Sequence, residues 1–170
     1  MTMFHPVEDS SATAEIVVKR LMEWYAPTSV LDLGCNIGAW TKEFRRYGVR
    51  AVGVDGPGVG AEIEADLRNT LDLGECFDLV LCLEVAEHLV PESASVLVDS
   101  AVRHADRVIW SAATPGQGGY QHVNEQPHGY WADMFERRSF IGEPLERRFE
   151  PLPHDYYRAN LWHFHKCEQS

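Results

Sequence analysis

Residues 30–38 (VLDLGCNIG) constrain this chain most, because they join an apolar strand to a glycine-containing turn and carry an acid inside the strand. An apolar strand that ends in glycines and leads into a helix is typical of the nucleotide-binding corner of a Rossmann-like sheet. Asp32 lies two residues before Gly34, and a carboxylate there would repel a diphosphate. The charge pattern instead favours a ligand with an adenosine end and a cationic amino-acid end.

Strand and helix patterns alternate through most of the chain, which is typical of a mostly parallel sheet. Strand patterns cover residues 29–33, 50–55, 62–65, 77–83 and 107–111, and helix patterns cover 10–24, 38–47, 92–104 and 127 to about 140. The aromatic-rich C-terminal third predicts an antiparallel hairpin. We therefore predict an α/β fold, a Rossmann-like, doubly wound, mostly parallel seven-stranded sheet with helices on both faces and that C-terminal hairpin.

The length of 170 residues predicts a single domain, 1–170, in which residues 1–27 form an N-terminal helical segment over the ligand end of the sheet. No apolar run is long enough to span a membrane, and residues 1–11 lack the pattern of a signal peptide. The four scattered cysteines (Cys35, Cys76, Cys82 and Cys167) indicate reduced thiols, so we expect a cytoplasmic protein.

The formal net charge of −11 bears on the partners of the chain. Affinity for long nucleic acid comes largely from Lys and Arg contacts to phosphate, and no basic block is present here. We therefore expect a small-molecule partner and no membrane partner, and a monomer or a homodimer. The alternative is that a partner protein completes the site that binds the small molecule.

Three further elements follow the glycine turn in the order that an adenosine site needs. Asp55 ends the second strand, 21 residues after Gly34, where an acid can accept hydrogen bonds from both ribose hydroxyls. Asp66 and Leu67 follow the third strand, where a carboxylate and a backbone amide can bind adenine. The fourth strand then brings residues 83–84 to the same crevice.

Together these motifs resemble those of the class I S-adenosylmethionine-dependent methyltransferases, in their small single-domain bacterial and phage form, over about residues 28–140. The resemblance implies S-adenosylmethionine as cofactor and S-adenosylhomocysteine as product. The residues expected to bind the cofactor are Asp32, Gly34, Cys35, Asn36, Gly38, Trp40, Asp55, Gly56, Asp66, Leu67, Leu83 and Glu84. One departure is visible, since Asn36 stands where the family has its middle glycine, and it bears on the local backbone shape.

Residues 83–89 (LEVAEHL) resemble the stretch after strand four in methyltransferases of small metabolites, lipids or sugars. Glu84, Glu87 and His88 fall together at helical spacing, and two carboxylates with an imidazole also suit a divalent metal. The small-RNA 2′-O-methyltransferases hold a metal with a similar acid-x-x-acid-His pattern and a later histidine, here His122. Helix capping, loop packing or substrate contact are the other roles for these side chains. We expect no metal, and keep Glu84, Glu87, His88 and His122 as the alternative ligand set.

A loop rich in donors and acceptors, residues 114–126, follows the fifth strand, where open α/β sheets build their sites. His122 is our first choice as general base, because imidazole titrates near neutral pH, and His88 and Glu87 are the next choices. A structural lid is the other interpretation of the loop. Residues 122–127 with Tyr130 and Trp131 resemble a block in small bacterial and phage methyltransferases.

We therefore expect a methyltransferase (EC 2.1.1.-) that moves a methyl group from S-adenosylmethionine to an oxygen or nitrogen, or a carbon, of a small molecule such as a sugar or secondary metabolite. A non-catalytic module of the same fold, which binds cofactor or a partner, is the first alternative. A metal-assisted RNA 2′-O-methyltransferase is the second.

Overall fold

The computed structural model describes residues 10–167, so the first nine residues of the expected N-terminal segment lie outside the described part. Five α-helices and seven strands follow one another along the described chain. They are α1 (Ser11–Tyr25), β1 (Ser29–Leu33), α2 (Ala39–Arg46), β2 (Arg50–Asp55), β3 (Ile63–Glu64), β4 (Leu79–Leu83), α3 (Ala94–His104), β5 (Arg107–Ser111), α4 (His128–Glu136), β6 (Phe140–Pro144), α5 (Asp155–Asn160) and β7 (Trp162–Lys166). Short 3-10 turns cover Ala86–His88, Pro91–Ser93 and Glu146–Arg148.

The seven strands form one sheet in the order β3-β2-β1-β4-β5-β7-β6. The neighbours from β3 to β5 run parallel, and β7 pairs antiparallel with both β5 and β6. This confirms the predicted doubly wound sheet with its antiparallel C-terminal pair. The strand order reverses between β1 and β4, and ligands of such sheets bind at the carboxyl ends of the strands beside that reversal.

Helices cover both faces of the sheet, as predicted. Alternate residues of a strand face opposite sides, and β1 shows this clearly. Leu31 and Leu33 pack into a cluster shared with α3 and α4, whereas Val30 packs into a second cluster shared with α1, α2 and α5. Asp32 is two residues after Val30 in the same strand, so its side chain lies on the same face of the sheet, which α1, α2 and α5 cover.

The C-terminal third differs from the sequence prediction in two places. The helix expected to reach about residue 140 ends at Glu136, because Ser139 adopts a left-handed backbone with φ 63° and Phe140 pairs with Lys166 in the sheet. The antiparallel strands β6 and β7 are joined through α5 and not by a tight turn. The prediction of the helix end was therefore wrong, and α5 was not predicted.

The cysteines and the helices of residues 10–167 bear on the expected reduced thiols and the expected absence of a membrane span. All four cysteines are free, and Cys35 and Cys82 are buried as the strand pattern predicts. None of the helices between residues 10 and 167 combines the length and apolarity that crossing a bilayer requires.

Candidate functional site

The turn after β1 is shaped by one obligatory glycine and one asparagine. Gly34 has φ 81°, and a Cβ there would overlap Cγ2 of Val85. Asn36 also has positive φ, 48°, and asparagine tolerates this left-handed conformation better than most residues with a side chain. Asn36 is therefore compatible with the left-handed backbone at this point of the turn.

Asp55 ties the end of β2 to this turn. Its Oδ2 accepts the main-chain N–H of Asn36 at 2.7 Å, and its Oδ1 accepts the N–H of Gly56 at 2.6 Å. Each carboxylate oxygen has a second lone pair, so the group retains capacity to accept ribose hydroxyls. The structure thus brings together three of the residues that the sequence assigned to the cofactor.

Asp32 is a buried acid that forms no ion pair with any residue between 10 and 167. Its side chain is 1% exposed, and Oδ2 has no hydrogen-bond partner among the described residues. Burial, with a smaller contribution from the charge of Asp55, raises the pKa of Asp32 from its ordinary 3.8 to about 8. A cation placed against this carboxyl would stabilise its ionised form.

Asp66 and Leu67 lie after β3 in different environments. Asp66 is exposed, and Arg68 donates to both of its carboxylate oxygens, with Nη2 at 2.7 Å from Oδ2. These hydrogen bonds lower the pKa of Asp66. Leu67 is 6% exposed and packs into the cluster under α3. A ligand amino group at Asp66 therefore competes with Arg68.

Glu84 follows Leu83 at the carboxyl end of β4 with a left-handed backbone, φ 53°. Its N–H donates to the main-chain oxygen of Ser111 at 3.0 Å, which holds it beside β5. Its Oε1 accepts Nδ2 of Asn160 at 3.2 Å, and its Oε2 accepts Nε2 of Gln117 at 3.2 Å. Burial raises the pKa of Glu84 despite these donors.

A buried aromatic pair from α2 and α5 packs near Asp32 and Glu84. The rings of Trp40 and Tyr157 meet edge to face with centroids 5.4 Å apart, and both residues are buried. Burial raises the pKa of the Tyr157 phenol, and the charges of Glu84 and Asp32 add to the effect. The phenol therefore lies near both acids.

Sequence reasoning missed Tyr157, Asn160 and Gln117 as site residues. The only sequence signal for Tyr157 is the aromatic content of its segment, which equally predicts a strand core. Asn160 lies 76 residues from Glu84, and no spacing rule connects them.

The side chains of Glu87, His88 and His122 form a second cluster, with potential ligand atoms all within 4.8 Å of one another. The rings of the two histidines meet edge to face at 4.9 Å. Glu87 is fully buried on the 3-10 turn, and within the described part neither carboxylate oxygen has a hydrogen-bond partner. Burial and the charge of Glu84 raise its pKa to about 9. Glu84 lies outside this cluster, so three of the four alternative metal ligands come together.

Loop 114–126 is anchored to this cluster by its backbone. The carbonyl oxygen of Glu87 accepts the N–H groups of Val123 at 2.9 Å and Asn124 at 3.0 Å. Asn124 is buried, and its Oδ1 accepts Nε2 of Gln126 at 3.0 Å. These contacts hold His122, the residue before Val123, beside Glu87 and His88.

The comparisons with known proteins agree on one family. A family model described as a methyltransferase domain matches residues 12–137, more than half of the chain. The chain is 35% identical over 88 residues to the ubiquinone biosynthesis O-methyltransferase of Hahella chejuensis, a match that covers 42% of this chain and 37% of that protein. The chain spans about a third of the length of the curated relatives that it matches.

Two solved structures show the same fold at low sequence identity. A sugar N-methyltransferase from Streptoalloteichus has a TM-score of 0.75 and 15% identity, covering 99% of this chain and 96% of its own. The magnesium protoporphyrin IX methyltransferase of Synechocystis, crystallised with bound S-adenosylhomocysteine, has a TM-score of 0.70 and 19% identity, covering 92% of this chain and 83% of its own. At these identities the likeness concerns the fold alone.

Proposed function

The chain belongs to the methyltransferase-domain family, and from that premise we propose that it transfers a methyl group from S-adenosylmethionine to an oxygen or nitrogen of a small molecule. The single observation that carries this proposal is the buried carboxyl of Asp32, which lies beside the glycine turn with no ion-pair partner in the described part of the chain. The ionised carboxyl attracts the cationic amino-acid end of that cofactor and repels a diphosphate. A nicotinamide dinucleotide is therefore disfavoured.

We assign the residues around the crevice to successive parts of S-adenosylmethionine. Gly34 and Asn36 turn the chain beside Asp32, to which we assign the methionine portion, and Asp55 retains lone pairs for ribose. We assign adenine to Asp66 and Leu67, after exchange of the Arg68 contact. When bound, the cofactor supplies a methyl group on a positively charged sulfur, which is already an activated leaving group.

The chain itself has to align the acceptor, exclude water and receive a proton. We assign the proton to Nε2 of His122, since Glu125 occupies Nδ1 of that ring at 2.9 Å. An acceptor hydroxyl would give up its proton to this nitrogen as its oxygen forms the new bond to carbon. His88 and Glu87 stand next to His122 and are the next candidates.

An acceptor of small size is supported by both the charge of the chain and its relatives. The net charge of −11 opposes a polyanionic RNA substrate. The curated relatives are named as O-methyltransferases, and one solved neighbour as a sugar N-methyltransferase. We therefore propose a hydroxyl- or amine-bearing sugar or secondary metabolite.

Calorimetric titration with S-adenosylhomocysteine tests the cofactor assignment. We expect micromolar binding to the wild type, and a loss of at least about tenfold in the double variant Asp32→Asn with Asp55→Asn, because two ligand carboxylates are neutralised. Asp133→Asn, an exposed acid on α4, is the matched control and should bind like the wild type. A folded wild type that binds NAD and no S-adenosylhomocysteine would overturn the proposal.

A methyl-transfer assay on the wild-type protein distinguishes an enzyme from a non-catalytic module. A screen with methyl-labelled S-adenosylmethionine and pooled sugars and metabolites should give label transfer that His122→Gln reduces. Tight cofactor binding without any transfer favours the binding module instead.

A divalent metal bound by Glu87, His88 and His122 is a second candidate. Their potential ligand atoms lie within 4.8 Å of one another. The carboxylate oxygens of Glu87 also have no hydrogen-bond partner in the described part. Titration with Mn²⁺ followed by electron paramagnetic resonance tests it directly. Glu87→Gln should abolish binding, whereas His165→Gln, on β7, should leave it unchanged. Absence of any bound Mn²⁺ in the wild type overturns this candidate.

A further inference from the structure

Asn160 joins two parts of the site that are far apart in sequence. Its Nδ2 donates to Oε1 of Glu84 at 3.2 Å and to Oε1 of Gln117 at 2.9 Å. Nε2 of Gln117 in turn donates to Oε2 of Glu84 at 3.2 Å, which closes a ring of three hydrogen bonds. Asn160 is 2% exposed, and both hydrogens of its amide are used.

The tip of the loop, residues 115–119, has little other attachment to the body of the protein. The N–H groups of Gly116 and Gly118 donate to Glu125, within the same loop, and the N–H of Gln117 donates to Thr114. In the described structure, the hydrogen bonds that leave this tip for another element run through the side chain of Gln117. They end on Glu84 and Asn160.

Asn160 stands on a rigid support, which a positioning group needs. It is the last residue of α5, and Tyr157 of the same helix packs against Trp40. Nδ1 of His154, just before α5, lies 2.9 Å from Oγ1 of Thr13 on α1. The helix is thus held from two sides.

We propose that Asn160 is a positioning residue that fixes loop 114–126 against the cofactor crevice through Gln117 and Glu84. That this loop faces the methyl acceptor rests on the proposed function, but the positioning itself does not. The family model ends at residue 137, so the segment that carries Asn160 is supplied by the part of the chain beyond the matched domain. This segment therefore sets where the loop, and with it His122, stands over the bound cofactor.

Hydrogen exchange of the ligand-free protein tests this role, with Asn160→Asp as the main variant. Aspartate keeps the shape of asparagine, removes both donors and adds a charge beside Glu84. We expect the amides of residues 116–118 to exchange about tenfold faster, as the loss of two hydrogen bonds implies, while amides of β1 and β4 keep their rates. Asn69→Asp, on an exposed turn, is the control and should match the wild type.

A swapped pair distinguishes positioning from a general structural role. The double variant Glu84→Gln with Asn160→Asp restores one donor opposite one acceptor, so slow exchange at the tip should return in part. Unchanged tip exchange in Asn160→Asp, equal acceleration throughout the sheet, or no recovery in the swapped pair would each overturn the proposal. The result is independent of cofactor binding, so a wild type that ignores S-adenosylhomocysteine refutes the proposed function without deciding the role of Asn160.

Discussion

Oε1 of Glu125 accepts a hydrogen bond from Nδ1 of His122 at 2.9 Å, within the loop that follows β5. The same carboxylate accepts the N–H groups of Gly118 at 2.7 Å and Gly116 at 2.8 Å. The hydrogen bond from His122 and these backbone donors lower the pKa of Glu125, so it stays ionised and can only accept. The shared hydrogen therefore belongs to Nδ1 of His122, which leaves Nε2 as the ring nitrogen that can accept a proton.

Glu125→Gln should upset this arrangement, because an amide cannot accept from His122 and from both glycines with the same two atoms. We expect the ring of His122 to lose its preference for the Nδ1–H tautomer, which nitrogen-15 NMR of the imidazole detects. Label transfer should fall by about tenfold, as for loss of an orienting group, with S-adenosylhomocysteine affinity unchanged. Glu136→Gln, at the exposed end of α4, is the control. An unaltered tautomer in Glu125→Gln would contradict the role of Glu125.

Gly119 lies so close to His122 that a Cβ there would overlap its imidazole ring. Gly119→Ala should therefore push the ring away from Glu87 and His88 and reduce methyl transfer more than stability. Gly129→Ala is the matched control, since a Cβ there has nothing within 4 Å and lies in the first turn of α4. We expect the control to raise the free energy of unfolding by roughly 0.5 kcal/mol. Equal activity in the two variants would show that the position of His122 is unimportant.

The sequence predicted the sheet and the meeting of Asp32 with Asp55 because parallel strands bring their carboxyl ends to one edge. Spacing along a strand and the glycine turn contain that information. The resemblance to metal-holding relatives also grouped Glu87, His88 and His122 with Glu84 as an alternative ligand set, and the structure brings the first three together.

The contribution of α5 could not be predicted in the same way. Asn160 contacts Glu84 through packing of a six-residue helix, which has no periodic pattern long enough to recognise. The end of α4 was missed because Ser139 gives no local signal for its left-handed backbone. Long-range packing decided both features.

Gly34→Ala should destabilise the fold through two separable effects. A side chain at φ 81° is strained, and its Cβ would also overlap Val85. We expect a loss of roughly 2–4 kcal/mol in the free energy of unfolding measured with urea. Gly48→Ala has a similar φ of 78° with nothing within 4 Å, so it isolates the backbone strain and should lose about 1 kcal/mol. Equal losses in both variants would contradict the close approach of Val85.

Asp32 should make the stability of the ligand-free protein depend on pH. Its pKa is about 8 in the folded chain, against an ordinary value of 3.8 that we take for the unfolded chain, so between these values the folded state holds a proton that the unfolded state has lost. The free energy of unfolding therefore decreases as the pH rises from about 4 to about 8. The amide that replaces the carboxyl in the variant Asp32→Asn cannot ionise, so this decrease should become smaller.

Thermal unfolding at several pH values between about 5 and about 8 checks this expectation. The melting temperature of Asp32→Asn should fall less than that of the wild type, and Asp133→Asn should follow the wild type. Some decrease should remain in the variant, because the pKa of Glu87 is raised to about 9 and acts in the same direction. A ligand ammonium group beside Asp32 would favour the ionised carboxyl, so S-adenosylhomocysteine affinity should increase over the same pH range. If the melting temperatures of the wild type and Asp32→Asn fall equally as the pH rises, Asp32 is already ionised at neutral pH in the ligand-free fold.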